Sequence, residues 1–143
     1  MKTTKPKGEV KEAKKERYYE STGGRKTASA RVRLFHNKTG VSINGKDLKT
    51  YFKQELDRKV ATSPVDVIGM AEKFMISASV FGGGIGAQAE AIRNAIAKAL
   101  VKFDANFRHQ MRVSGFMTRD PRSVERKKYG LKKARRAPQW QKR

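Results

Sequence analysis

The chain has 143 residues, with 34 Lys and Arg against 13 Asp and Glu, for a formal net charge of +21. That length suits one domain plus extensions, and that charge points to a polyanionic partner. There is no cysteine, which excludes disulfides and thiolate metal sites, and no apolar run approaches the roughly 20 residues of a transmembrane helix.

The charge is unevenly spread. Residues 1–17 carry 7 basic and 3 acidic side chains, residues 18–111 carry 15 and 8, and residues 112–143 carry 12 and 2. The middle therefore has ordinary globular charge and the C-terminal stretch holds the excess. Residues 1–16 form a Lys-rich arm without the apolar core of an export signal. Glu9, Glu12 and Glu16 in that arm are residues a transit peptide avoids, so a cytoplasmic location is expected.

From Lys26 to Phe35 the sequence alternates. Ala28, Ala30, Val32 and Leu34 point one way, and Thr27, Ser29, Arg31 and Arg33 the other, which predicts a half-buried strand with a basic outer face. Asn37–Gly40 predicts a turn, Val41–Ile43 a short strand, and Asn44-Gly45 a tight reversal. Asp47 is placed to cap a short helix containing Leu48, Tyr51 and Phe52. A further helical turn or two runs from Glu55 to Ala61 and is expected to stop at Ser63-Pro64, because the residue before a proline is pushed out of the helical region. Val65–Met70 reads either way. Lys73–Phe81 alternates again, with Phe74, Ile76, Ala78 and Val80 opposite Met75, Ser77, Ser79 and Phe81, as a central strand would.

Gly82-Gly83-Gly84-Ile85-Gly86 then opens the clearest helix of the chain. From Ala87 to Phe103, the residues Ile92, Ala95, Ile96, Ala99, Leu100 and Phe103 make one apolar stripe, while Glu90, Arg93, Asn94, Lys98 and Lys102 take the other side. Asp104 could cap a second helix with Phe107 and Met111 inward and Gly115 as its stop. Asp120-Pro121 predicts a third, short basic helix reaching about Lys127. Together these elements predict an α+β fold: a small sheet of about four strands with helices on one face. The domain spans 17–117, and 118–143 forms a short basic helix and an extended basic tail.

Catalysis has little to stand on. Gly82, Gly84 and Ala87 fit a dinucleotide G-x-G-x-x-A, with Asp104 following 22 residues after Gly82, but no second βα unit comes after it. The same glycines could simply let a phosphate of RNA approach backbone N–H groups at a helix start, or could serve packing alone. His36 and His109 are the only histidines, and Asp47, Glu55, Asp57 and Asp66 show no ligand-like spacing. No enzyme activity, cofactor, metal or small-molecule substrate is expected.

The last 18 residues, RKKYGLKKARRAPQWQKR, contain nine Lys or Arg and no acid. Too little apolar surface is present to offset the entropy of ordering such a segment alone. Tyr129 and Trp140 offer rings for stacking on bases or riboses, Arg planes can do likewise or fork two phosphate oxygens, and Gly130 and Pro138 set bends. At about 3.3 Å per residue, 18 extended residues reach about 60 Å.

Three blocks give these features a family. Thr118–Gln139 (TRDPRSVERKKYGLKKARRAPQ) closely resembles the C-terminal signature of bacterial-type small-subunit ribosomal protein nine. Phe81–Arg93 (FGGGIGAQAEAIR) is similar to that family's second signature, and Tyr19–Arg33 (YESTGGRKTASARVR) to its N-terminal strand region. The resemblance implies βαβ units with a left-handed crossover, against the usual preference. It also implies a place in the head of the 30S subunit on 16S rRNA, beside other head proteins, with the tail reaching peptidyl-site tRNA. It maps rRNA contacts onto Arg25, Lys26, Arg31 and Arg33 and tRNA contacts onto Lys142 and Arg143. Charge and position add Gly82, Gly83, Gly84, Arg119, Arg122, Arg126, Lys127, Lys128, Tyr129, Lys132, Lys133, Arg135 and Arg136 as expected rRNA contacts, and Gln141 as a third residue toward tRNA. Gly24-Arg25 stands where the family commonly has paired basic residues, Trp140 stands where Phe is usual, and the loop around Val67–Lys73 is short. The rival expectation is a free-standing nucleic-acid or nucleoid-binding protein, which shares the charge but would tolerate a scrambled tail.

Overall fold

Ala28, Ala30, Val32 and Leu34 do face one way, and the rest of the fold is arranged around that face. The computed structural model describes residues 17–36 and 38–142. The N-terminal arm at 1–16, Asn37 at the start of the expected turn, and Arg143 lie outside the described residues. A five-stranded sheet runs in the order β1 (Tyr18–Arg25), β2 (Ala28–His36), β5 (Phe74–Phe81), β3 (Gly40–Ile43), β4 (Lys46–Asp47). β2 and β5 are antiparallel, with Ala30 opposite Val80 and Leu34 opposite Ile76, so both apolar sets share the inner face. β5 is central, as its alternation predicted. β3 lies parallel to β5, and the chain between them forms the crossover α1 (Leu48–Tyr51), α2 (Glu55–Ile68) and a 3-10 turn at Ala71–Lys73.

The glycine-led helix, α3 (Ile85–Phe103), covers that inner face, with α2 packed beside it and α4 (Phe107–Val113) beyond it. Ile92, Ile96 and Leu100 are fully buried. At about 2 kcal/mol for each such side chain removed from water, this stripe outweighs the few tenths of a kcal/mol available from any exposed ion pair on the helix. Met111 of α4 is fully buried, and Phe107 packs against the core.

β1 was not legible as a strand, and its inward residues explain why. Ser21 is buried and Gly23 faces α3 so closely that a Cβ there would strike the Ala91 carbonyl and come within 2.6 Å of the Ala95 nitrogen. Only a small residue fits under the helix, so the strand carries no large apolar alternation. Lys98 and Lys102, one turn apart on α3, reach past the sheet edge and donate to the Thr22 and Glu20 carbonyls of β1 at 3.4 and 2.6 Å.

Three expectations need correction. α2 does not end at Ser63 but continues through Pro64 to Ile68, where Gly69, left-handed at φ 70°, terminates it. Pro64 cannot donate to the Val60 carbonyl one turn back, and the Ser63 hydroxyl donates to that carbonyl instead at 2.9 Å. Pro64 itself is buried in the core, which adds to the reasons to keep the helix going. Second, no helix forms after Asp120. Its Oδ1 accepts the Arg122 N–H at 2.9 Å as an N-cap would, but the Arg122 carbonyl, which the next helical turn would need, accepts from Arg25 instead. Third, Asn94 is not on a solvated side of α3 but is 5 % exposed.

Asn44-Gly45 makes the predicted reversal between β3 and β4, both residues having positive φ (49° and 76°). The Asn44 side chain also accepts the Val80 N–H and donates to the Val80 carbonyl, both at 2.9 Å, extending the β3–β5 ladder by one rung. Asp47 occupies the N-cap position of α1, without a side-chain capping bond.

Candidate nucleic-acid interface

The expected contact residues fall into three places. On the outer sheet face, Arg31 and Arg33 project from β2 between Thr22 and Glu20 of β1 and Ser79 and Ser77 of β5. Both guanidiniums share one carboxylate, Glu20, at 3.3 and 3.2 Å, and both stay about half exposed. One acid for two bases leaves net positive charge on a face that also carries the hydroxyls of Thr22, Ser77 and Ser79 and the larger side chains of Tyr18, Phe35, Met75 and Phe81. Arg33 also lies 5.3 Å from the centre of the Tyr18 ring.

At one end of the sheet, the β1–β2 turn, the glycine loop and the root of the tail meet. Lys26 is exposed at the turn with φ 50°. Gly82 and Gly83 are both left-handed, and a Cβ on either would come within 2.8 Å of Thr27 or Ala28. Packing therefore dictates those two glycines. The Gly82 carbonyl accepts from Gln88, whose own carbonyl oxygen takes the Tyr51 hydroxyl proton at 2.8 Å. Gly84, the N-cap of α3, is exposed and has open space around it.

Arg25 departs from the expectation of an open contact. Its side chain is only 12 % exposed, donates to Glu90 at 2.6 Å, pairs with Asp120 at 3.2 Å and donates to the Arg122 carbonyl at 2.8 Å. The Arg122 side chain clasps Asp120 and holds that carboxyl well below the usual aspartate range, helped by the Arg122 backbone N–H and, more weakly, by Arg25. Asn94 donates to the Phe116 and Met117 carbonyls at 2.8 and 3.1 Å, and Arg119 to the Lys26 carbonyl at 3.2 Å. Glu90 and Asn94, one turn apart on α3 and both facing the tail, are the residues sequence reasoning missed. Their spacing was the available signal, but the tail that they meet shows no periodicity.

The third place is the tail beyond Arg122, which has no helix or strand among its described residues. Gly130, at φ 74°, makes a turn that bonds Leu131 N–H to the Lys128 carbonyl. Glu125 accepts a bidentate pair from Arg135 at 2.9 and 2.6 Å, which lowers the Glu125 pKa and raises that of Arg135, and Lys128 approaches it at 3.6 Å. Lys127, Lys132, Lys133, Arg136, Gln141 and Lys142 are exposed, as is Arg126. Tyr129 is 96 % and Trp140 80 % exposed. Burying either ring in water-excluding contact is worth about 1–3 kcal/mol when a base stacks on it, so such exposure leaves that energy unspent in the free chain.

His36 stacks on Phe103 at 5.2 Å and meets the edge of Phe74, an aromatic packing role, while His109 is exposed. Among the described residues no cluster of His, Cys, Asp or Glu could hold a metal ion, and no helix is long and apolar enough to cross a membrane.

A folded core of modest charge carrying a long cation-dense extension with bare aromatic rings is the build of a ribonucleoprotein component. Residues 23–143 match the model of the family described as Ribosomal protein S9/S16, and the chain belongs to that family. Its role is thus that of a ribosomal protein, with the ribosome and its rRNA as partners.

Proposed function

We propose that this chain is the small-subunit ribosomal protein nine of a bacterial-type ribosome, a structural and non-enzymatic component that acts in the cytoplasm. In this reading the domain at 17–117 docks on 16S rRNA in the subunit head, beside neighbouring head proteins. Lys26, Arg31, Arg33, Arg119 and Arg122 neutralise phosphates, and the backbone at Gly82–Gly84 allows a phosphate to come close. The tail from 118 threads between RNA helices, with Arg126, Lys127, Lys128, Lys132, Lys133, Arg135 and Arg136 on rRNA and Tyr129 stacked. Gln141, Lys142 and Arg143 reach the peptidyl-site tRNA. Phosphate contacts supply affinity and position, and stacking supplies fit, without base-by-base readout.

The observation that carries this reading is the combination, in one tail, of dense cations and almost fully exposed Tyr129 and Trp140. Pure charge neutralisation has no use for the rings or for their order. Small subunits assembled with the wild-type chain should retain it through a high-salt wash. A chain whose residues 123–143 are shuffled at constant composition should be lost from the particles, since each phosphate contact steepens salt sensitivity. Equal retention of the shuffled chain would favour a free-standing nucleic-acid-binding protein. Deleting Lys142 and Arg143 should weaken tRNA held in the peptidyl site while leaving assembly intact, and unchanged tRNA affinity would remove that contact.

A further inference from the structure

We infer that Arg25 is a positioning residue: it fixes where the tail leaves the domain, and its guanidinium is used up in doing so. All three of its nitrogens are engaged, one by α3 and two by the root of the tail. Nε donates to Glu90 of α3, Nη2 pairs with Asp120, and Nη1 donates to the Arg122 carbonyl. The cluster is close to neutral, because two carboxylates (Glu90, Asp120) meet two guanidiniums (Arg25, Arg122). A phosphate would have to displace a carboxylate from a side chain that is 12 % exposed. Only a planar fork can serve three partners at fixed angles, so a lysine ammonium cannot replace it.

The bonds of Asn94 and Arg119 extend the same latch along the chain. From Phe116 to Arg122 the backbone or side chain of five residues is tied to α3 or to the β1–β2 hairpin. A cavity of about 310 Å³ remains between these elements, lined by Arg25, Glu90, Arg93, Asn94, Arg119 and Asp120. Past Arg122, the bonds among the described residues run within the tail itself, from Glu125 to Arg135 and from Lys132 to Arg136. The latch thus marks where a core-directed chain becomes a partner-directed one. Without it, the seven residues from 116 to 122 would behave as a flexible tether with a spread of about 15 Å. With it, the tail starts from one point, which lowers the ordering cost of any later docking. The inference deepens the RNA reading and rests on it only for that consequence; the latch belongs to the free chain.

The absence of cysteine allows clean spin labelling of the full chain. Labels at Lys59→Cys on α2 and Ser123→Cys just past the latch report the tail's exit, and Lys59→Cys with Ser79→Cys reports the core. The wild-type exit pair should give one narrow distance distribution. Arg25→Gln, Arg25→Lys and Asp120→Asn should each broaden it toward about 15 Å, with the core pair unchanged. Arg31→Gln, an equal loss of charge on the outer face, should leave both pairs alone. A broad wild-type distribution would overturn the latch, and so would a distribution left narrow by Arg25→Gln and Asp120→Asn. Full rescue by lysine, or equal broadening by Arg31→Gln, would reduce it to a general charge effect and equally overturn it. Asp120 lies outside the core, so its variant stays informative if the Arg25 variants fold poorly. Loss of the shuffled tail's retention defect, with the latch intact, would instead count against the RNA reading alone.

Discussion

The domain and the tail of this one chain solve opposite problems. In the domain, Val32, Leu34, Ile76, Ile92, Ile96 and Leu100 are sealed from water and the ordered state maintains itself. In the tail past Arg122, the described bonds are surface pairs such as Glu125–Arg135 and a turn at Gly130. Pairs of that kind contribute about 0–1 kcal/mol each, well short of the backbone entropy of about 1–2 kcal/mol per residue that a fixed tail must offset. The domain's information is in its packing, whereas the tail's is in what it leaves exposed. The boundary falls at Asp120–Arg122, where Arg25 makes the last bonds into the core.

Substitutions can test that division from its strongest side to its weakest. Leu100→Ala empties a fully buried site and should cost about 3–4 kcal/mol in chemical denaturation; a loss under about 1 kcal/mol would mean that α3 does not seal the sheet as described. Gly23→Ala drives a Cβ into the α3 backbone and should cost about 2–3 kcal/mol, the range for overpacking. Ser63→Ala removes the hydroxyl that satisfies the Val60 carbonyl ahead of Pro64 and should cost about 1 kcal/mol, whereas no change would show that water serves that carbonyl equally well. Removing 123–143 should shift the domain's unfolding free energy by less than about 0.5 kcal/mol, as for other surface changes, while abolishing retention in high-salt particles. A large stability loss would erase the boundary.

The smallest effect is a pH response at the latch. Asp120 titrates below its ordinary value of 3.8, chiefly because Arg122 bonds to its charged form. A group whose pKa is lowered by folding stabilises fully above its unfolded value and loses that contribution as pH falls through the folded one. The exit-pair distance distribution should therefore be constant from neutral pH down to about 4 and broaden below it. Asp120→Asn should be broad throughout, and a wild-type distribution indifferent to acid would show that Asp120 adds nothing to the latch.

Large apolar residues made the domain readable. β2, β5 and the α3 stripe follow directly from alternation and helical spacing, because their inward positions carry Val, Leu, Ile and Phe. β1 was hidden because closeness to α3 demands Ser21 and Gly23, which broadcast no pattern. α2 was cut short because a proline rule concerns the backbone alone, and the repair by Ser63 at the Val60 carbonyl is a side-chain event. The helix expected after Asp120-Pro121 is absent for a related reason: Asp120 makes the cap-like bond, but a distant side chain, Arg25, takes the Arg122 carbonyl that the helix would use. Arg25 itself could be recognised as basic from sequence, but its partners lie 65 and 95 positions away. Separation of that kind leaves no local trace.

The two lysines that lean from α3 over the sheet edge have a consequence for what that edge can pair with. β1 is an outermost strand, and the Glu20 and Thr22 carbonyls are the acceptors a foreign strand would need. With Lys102 and Lys98 seated on them, an incoming chain must evict two ammonium groups and meet their charge, which is how natural sheets discourage edge-to-edge aggregation. The β1 border of the sheet is thereby guarded by two charges supplied from the helix above it.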